Sequence, residues 1–270
     1  MFLFFLKMIF LSRDRKSTRL NSSHVSISYA EDYYRGNTKI HSFIKEFDQT
    51  YSKTDALQWC FSSIFPSNFL HHALRSLNTE HLQICRFLLL DTTRIMQLNA
   101  KKTNGELYKG MKMTSDYLSK LENSVGKLIC PKGYLQCTQS RKSALDQANS
   151  PDHRVDLLPI LIKITYDTSV SLVTFSDRHH SPTMIFDVYT VFRIKYVKRG
   201  QLTTIKLEPA DDNGKKLARE YRIEHEPETV QNLLNQLLLP PKLPARLPPL
   251  VPRSQRSLSV LSDLSPNEIR

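Results

Sequence analysis

The stretch GELYKG, residues 105–110, places an aromatic side chain, a cation and a glycine together after a polar, lysine-rich loop. A lysine ammonium attracts phosphate groups as a point charge, although it lacks the planar fork with which arginine clamps them. Taken alone, Tyr108, Lys109 and Gly110 are typical of a strand end with a surface lysine. Their meaning therefore depends on which other stretches the fold places beside them.

The cysteines favour neither metal nor disulfide chemistry. They form no Cys-x-x-Cys pair and share no zinc-like spacing with the histidines: Cys60, Cys85, Cys130 and Cys137. We therefore predict no metal site. Cys60 and Cys85 fall in helix-like runs, where a free thiol behaves as a small apolar residue. This usage favours a reducing compartment and a cytoplasmic location.

Residues 31–100 are predicted to be helical. Between residues 31 and 100 apolar side chains recur at spacings of three and four, and Asn78 or Thr79 is suited to cap the last helix. The expected core residues of this region are Trp59, Phe61, Phe65, Leu70, Leu74, Leu82, Ile84, Phe87 and Leu88.

The residue pattern changes after residue 100 from one typical of helices to one rich in predicted strands. A short strand, LYKG, precedes a helix in TSDYLSKLENSVG, with Thr114 or Ser115 as its N-cap and Gly126 as its stop. Six stretches rich in β-branched and aromatic residues follow as strands: GYLQCT, VDLLPILIKITYD, VSLVTF, TMIFD, YTVFRIKYV and LTTIKLE. Within YTVFRIKYV the alternation predicts one solvated face, with Tyr196 on the apolar side. Helices first and strands later predict an α+β fold.

The net charge of +12 is concentrated at the two ends of the chain. Residues 1–30 carry a net +4 and residues 240–270 a net +3, which leaves +5 for the long central part. A mild basic excess over a whole domain is typical of a solvated surface. The distribution therefore predicts neither a nucleic-acid partner nor a membrane partner.

The two ends are predicted to lie outside the folded part. Residues 14–30 resemble a translated sequencing-adaptor contaminant, so 1–30 is expected to be an artefact or, alternatively, a disordered arm. Residues 226–270 are expected to form a short helix and then a Pro- and Ser-rich disordered tail. Two PxxP matches between Pro241 and Pro252 fit the pattern that SH3-like grooves read, although such matches are common by chance.

The order of pieces from residue 105 to 221 resembles the arginine-type mono-ADP-ribosyltransferases, the clade marked by an arginine, a serine and a Glu-x-Glu pair. Tyr108-Lys109-Gly110 stands at the aromatic-Arg-Gly strand end, and Tyr134 to Thr138 stands at the aromatic-Leu-Ser-Thr-Ser strand. Ser181 to Phe186 stands at the Glu-x-Glu strand, and Val191 to Ile194 at a later Phe-Arg-Val strand. The helical region 31–100 looks like the lead-in helices of intracellular invertebrate members.

The resemblance implies a two-sheet β core over residues 101–225, with short helices and an NAD cleft between the sheets. In the family the arginine holds the dinucleotide phosphate, and the serine orients the second glutamate. That glutamate stabilises an oxocarbenium-like transition state, and a nearby carboxylate is what such a developing positive charge requires. By resemblance Tyr108, Lys109, Gly110, Gln136 and Thr138 are the cofactor-binding positions, while Ser181 and Thr183 are the catalytic ones.

The departures from the family pattern occur at the positions that bind NAD and catalyse transfer in the family. Lys109 replaces the arginine, Gln136 replaces the serine, and Ser181 and Thr183 replace the two glutamates, so neither position keeps a carboxylate. Losing a single transition-state partner costs about 10²–10³ in rate. Asp177 and Asp187 flank the strand as substitute carboxylates, whereas Glu224-His225-Glu226 comes too late in the chain.

Three functions therefore remain open from the sequence. The first is an ADP-ribosyltransferase-like domain that has lost catalysis and still binds NAD or a partner protein. The second is an active, divergent NAD-dependent transferase that modifies a protein acceptor. The third is a non-enzymatic interaction module that works through its helices and its PxxP tail. Because the helical repeats that follow the domain in many invertebrate relatives are not visible here, the chain is also a candidate for truncation.

Overall fold

A computed structural model describes residues 27–61, 65–152, 154, 156–176, 182–188, 190–210 and 216. Ser181, Asp177 and the residues of the predicted proline-rich tail lie outside this set, as do residues 1–26 of the predicted adaptor-like segment. The last four residues of that segment, 27–30, are described, and in contrast to the prediction they are helical, with Tyr29 and Ala30 buried. The chain divides into two compact units, with the boundary between Leu98 and Asn99. Each unit is described by itself below.

The described residues of the first unit form helices and turns. Residues 27–33 are helical, and the elements that follow are α1 Thr38–Thr50, a 3-10 turn Lys53–Asp55, α2 Ala56–Phe61, α3 Ser67–Ser76, α4 Thr79–Ile84 and α5 Arg86–Leu98. The N-cap of α4 is Asn78, whose side chain accepts a hydrogen bond from the His81 amide at 3.0 Å. Of the nine predicted core side chains, seven are buried, whereas Phe61 and Phe87 are half-buried.

His81 is buried among aromatic rings in this unit. Its Nε2 atom lies 3.0 Å from the Tyr29 hydroxyl, and its ring centroid lies 5.2 Å from that of Phe69. Its Nδ1 atom is also buried, and no hydrogen-bond partner for it is found in the described part of the chain. Burial, and to a smaller degree the neighbouring His72, lowers the pKa of His81 from 6.5 to about 4.

This environment makes the stability of the helical unit depend on pH. His81 takes up a proton near pH 6.5 when unfolded but only near pH 4 when folded, so the unfolded state binds more protons between these values. Above about pH 6.5 the His81 ring does not lower the free energy of unfolding. Below that pH the free energy of unfolding falls by up to about 1.4 kcal/mol for each pH unit. Thermal melts from pH 7 to pH 4.5 measure this slope.

The variant His81→Phe is expected to flatten the slope, because a phenyl ring fills the site without titrating. His41→Gln serves as the control, since His41 lies on the partly exposed α1 surface. This control is expected to keep the wild-type slope. An unchanged slope in His81→Phe would show that another group governs the acid response.

The second unit is an α+β domain, as the sequence predicts. Its elements are β1 Gly105–Thr114, α6 Ser115–Glu122, β2 Leu128–Ile129, β3 Leu135–Thr138, α7 Arg141–Asn149, β4 Leu157–Tyr166, β5 Leu172–Phe175, β6 Thr183–Phe186, β7 Phe192–Lys198 and β8 Thr203–Pro209. Thr114 caps α6, with its hydroxyl accepting from the Tyr117 amide. The helix ends at Glu122, before Gly126.

The eight strands form one sheet in the order β2-β7-β8-β4-β1-β3-β6-β5. Strands β1 and β4 pair over ten residues, but β1 and β3 share only the pair Tyr108 with Thr138. The sheet therefore consists of a five-strand half and a three-strand half joined at one point. Its curvature brings Phe186 of β6 to a 5.1 Å ring contact with Phe192 of β7, so that the two halves enclose a common core.

One strand departs from its predicted pattern. The register of β7 against β8 shifts between Ile194 and Tyr196, which is a β-bulge. The extra residue reverses the alternation, so Tyr196 faces solvent and is 42% exposed instead of lying on the apolar side. The prediction for Tyr196 is therefore wrong, because period-two alternation cannot anticipate an inserted residue.

Candidate functional site

The strand order places the three chemically suggestive stretches side by side. Tyr108-Lys109-Gly110 lies on β1, Gln136 and Thr138 lie on β3, and Thr183 begins β6, and these three strands are consecutive in the sheet. Tyr108 is in register with Thr138, which is in register with Thr183. Segments that are 30 to 45 residues apart in sequence therefore meet in one row across the sheet.

The side chains of this set divide between the two faces of the sheet. Successive residues of a strand point to opposite faces, and registered partners share a face. Tyr108, Thr138 and Thr183 thus share one face with Gln136. Lys109 lies on the other face, between the buried Leu107 and Met111. The pleat therefore does not bring the side chains of Lys109 and Thr183 together.

Lys109 nevertheless touches β3. Its Nζ atom donates a hydrogen bond to the main-chain carbonyl of Gln136 at 3.0 Å. This contact lies where β1 and β3 diverge, beyond their single registered pair. A lysine ammonium thus connects the two strands beyond the point where their registered pairing ends, and we call this place, lined by Lys109 and Gln136, the β1–β3 gap. Cys137, which follows Gln136 on β3, is buried, which raises its thiol pKa to about 12.

Gly110 is required by the packing of α7. A Cβ atom added at Gly110 would stand 1.6 Å from the carbonyl oxygen of Ala144 and 2.7 Å from the amide nitrogen of Ala148. Both of these are main-chain atoms of α7, so the helix rests directly on β1. The glycine that follows Lys109 therefore fixes the helix that flanks the gap.

Glu106 is a polar residue of the site that the sequence did not single out. It lies two positions before Tyr108 on β1 and therefore on the same face as Thr138 and Thr183. Its carboxylate accepts hydrogen bonds from Lys163 Nζ at 2.7 Å and from the Tyr108 hydroxyl at 2.9 Å. These bonds, led by the one from Lys163, hold the pKa of Glu106 below its ordinary value. Its spacing of two residues from Tyr108 is the signal that could have identified it.

The structure describes only one of the two aspartates predicted as substitute carboxylates. Asp187 follows β6 and turns its Oδ1 atom to the amide of Val188 at 2.8 Å, while its carbonyl accepts from the Thr190 hydroxyl. It therefore serves a local turn. Asp177 and Ser181 are not among the described residues, and their relation to Thr183 stays a prediction.

Two further features are absent from the described ranges. No group of three or more His, Cys, Asp or Glu side chains there is arranged to hold a metal ion. None of the helices in those ranges combines the length and the apolar character needed to cross a bilayer.

No protein-family model matches the sequence, and no curated protein matches it either. The fold is similar to several solved ADP-ribosyltransferases. The Vis toxin of Vibrio splendidus is 17% identical, with a TM-score of 0.48 over 73% of this chain and 88% of the toxin. HopU1 of Pseudomonas syringae pv. Tomato DC3000 is 12% identical, with a TM-score of 0.48 over 73% of this chain and 100% of HopU1.

Exoenzyme S of Pseudomonas aeruginosa is 14% identical, with a TM-score of 0.43 over 69% of this chain and 90% of the enzyme. That structure holds the enzyme bound to carba-NAD and to a human 14-3-3 protein. At these identities and TM-scores the likeness assigns no role to any residue of this chain.

Proposed function

We propose that residues 101–225 are an ADP-ribosyltransferase-like domain of the arginine-type clade that binds NAD and has lost the transfer reaction. The observation that carries the proposal is the single row formed by Tyr108, Thr138 and Thr183. The family resemblance was drawn from the order of motifs in the sequence, and strand order is independent of it. Adjacent pairing of the three motif strands is what an NAD cleft built from these motifs requires.

The β1–β3 gap supplies the expected binding chemistry. Lys109 brings a positive charge to the point where the two halves of the sheet diverge, beside the main chain of β3. A dinucleotide diphosphate competes for this ammonium with the neutral carbonyl of Gln136, and the bond to phosphate is the stronger of the two because both of its partners are charged. Without a second nitrogen the lysine cannot hold the diphosphate in two places, so binding is expected to be weak.

The same residues account for the proposed loss of transfer. Departure of nicotinamide leaves positive charge on the ribose, which a positioned carboxylate must stabilise. Thr183 offers a hydroxyl that bears no charge at neutral pH, and Ser181 has the same limitation. A hydroxyl can orient the substrate, but it cannot offset the developing charge.

Glu106 supports a second candidate, an active transferase with a relocated carboxylate. It is ionised, because its pKa is lowered, and it shares a sheet face with Thr138 and Thr183. However, its carboxylate is already bonded to Lys163 and Tyr108, which reduces the negative charge available to a substrate. This is why we favour the inactive domain.

Calorimetric titration of the full chain with NAD tests the binding proposal. We expect saturable heat, and Lys109→Ala is expected to weaken binding about tenfold because it removes a charge-assisted contact. The matched control is Lys120→Ala, which removes the same charge from the exposed surface of α6. Equal affinities of the two variants would place NAD outside the β1–β3 gap.

Incubation with labelled NAD and an arginine-rich protein tests the loss of catalysis. We expect neither label transfer nor release of nicotinamide above the uncatalysed rate. Transfer that disappears in Glu106→Gln would establish the active alternative. Transfer that persists in Glu106→Gln would mean that the carboxylate comes from elsewhere in the chain.

A further inference from the structure

A row of two tyrosines and two lysines crosses four strands on the outer face of the sheet. Tyr108 of β1 is in register with Lys163 of β4, which is in register with Lys206 of β8, which in turn is in register with Tyr196 of β7. Registered partners share a face. We call these four residues the Tyr-Lys-Lys-Tyr row. It exists because the β7 bulge turns Tyr196 outward.

The row is partly accessible, and it lies beside the part of the same face on which α7 rests at Gly110. Tyr196 is 42% exposed, and the side chains of Lys163 and Lys206 are 31% and 26% exposed. The four groups are also electrostatic neighbours. The pKa of Lys163 is raised, first by its hydrogen bond to Glu106 and also by the nearby Tyr108 and Tyr196.

The surroundings of the row are basic. The same face carries Arg193, Lys195 and Lys198 of β7 beside the two lysines of the row. The carboxylates on this part of the face are Glu106 and Glu208, so five cations stand against two anions. Glu208 lies within 3.2 Å of both Lys195 and Lys206, so a single carboxylate is shared by two ammonium groups.

We propose that the Tyr-Lys-Lys-Tyr row binds single-stranded nucleic acid. Three strand spacings of about 4.8 Å separate the two rings by about 14 Å, with the lysines between them. Bases stack on exposed aromatic rings, while lysines set between the rings meet the intervening phosphates. An acidic polypeptide would use the cations but would gain nothing from two outward-facing tyrosines.

The strand register explains why the sequence predicts no nucleic-acid partner. The cations of this face lie at positions 163, 193, 195, 198 and 206, and they are interspersed with apolar residues that point into the core. Read along the chain, the excess charge is mild and dispersed. Pairing of β4, β8 and β7 collects it on one surface. Tyr108 belongs both to this row and to the proposed NAD site. The two proposals are nevertheless tested separately, because Tyr196 and Lys206 lie outside the β1–β3 gap.

The test is a fluorescence anisotropy titration of the full chain with labelled 15-nucleotide oligo-dT and oligo-U. Tyr196→Ala is expected to weaken binding by about 5- to 100-fold, because one stacked base is lost. Tyr196→Phe keeps the ring and is expected to bind within about twofold of the wild type. Since the phenyl variant preserves the strand residue, it separates loss of stacking from loss of folding.

Salt dependence tests the lysines. Lys206→Gln is expected to lower the slope of log affinity against log salt by about 0.7, the value for one phosphate contact on a single strand. Lys120→Gln, with the same change of charge on α6, is expected to keep the slope. The proposal is overturned by the absence of binding to both oligonucleotides, or by wild-type affinity in Tyr196→Ala. Equal competition by a poly-glutamate peptide of matched charge would instead assign the face to an acidic protein.

Discussion

Gly110→Ala is expected to unfold or severely destabilise the β unit. The new methyl group would stand 1.6 Å from the Ala144 carbonyl, a distance that no side-chain adjustment relieves, because the obstructing atoms belong to the main chain. Either α7 lifts from β1 or the strand shifts, and both disrupt the packing of this helix on the sheet. Overpacking of this severity is expected to cost about 3 kcal/mol or more. The transition assigned to this unit should fall by about 10 °C or more.

Gly133→Ala is the matched control. It makes the same substitution in the same unit, but nothing lies within 4 Å of the added carbon atom. Its melting temperature should therefore stay close to that of the wild type. If the two variants have the same melting temperature, α7 does not rest on β1 as described, and the close approach at Gly110 is incorrect.

Phe192→Ala is expected to have the second largest effect on stability. Phe192 is fully buried and packs edge-to-face against Phe186 at 5.1 Å, a contact between the two halves of the curled sheet. Truncating a buried phenylalanine to alanine costs about 3–5 kcal/mol, through lost transfer free energy and the cavity left behind. Chemical denaturation followed by far-UV circular dichroism measures this loss.

Tyr196→Ala provides the comparison on the same strand. It also removes an aromatic ring from β7, but this ring is exposed, so the expected loss of stability is below about 1 kcal/mol. Similar losses in the two variants would contradict the burial pattern of β7 and the bulge that produces it.

Local features of this fold follow from the sequence because they depend on neighbouring residues. Asn78 and Thr114 cap their helices as predicted, since a short polar side chain before an apolar run satisfies free amides. The strands of the second unit were likewise predicted from β-branched and aromatic runs. The α+β class followed from the order of these elements.

Helix α7 shows why other elements escaped prediction. Its sequence, RKSALDQAN, has no stripe of large apolar residues, and the side chains it buries are those of Ala144 and Ala148. A helix this polar packs only because Gly110 leaves room for its main chain. The signal is therefore shared between two segments that are more than thirty residues apart, and periodicity within one window cannot reveal it.

The candidate site also combines features that depend on neighbouring residues with features that depend on strand pairing. The motif resemblance names three strands, and these strands are neighbours in the sheet, but the sequence does not say which face each side chain occupies. Register decides that Lys109 reaches β3 from the core face, whereas Glu106 joins Thr138 and Thr183. Strand pairing is set by contacts between residues that are distant in sequence. The register of the strands therefore cannot be predicted from local sequence patterns.

Binding of NAD in the β1–β3 gap is the central proposal for this chain. The most direct test is a crystal structure of the chain soaked with NAD above its dissociation constant. We expect a diphosphate oxygen about 3 Å from Lys109 Nζ, with the bond to the Gln136 carbonyl broken. NAD bound elsewhere, or an intact bond between Lys109 and Gln136 beside an empty gap, would contradict it.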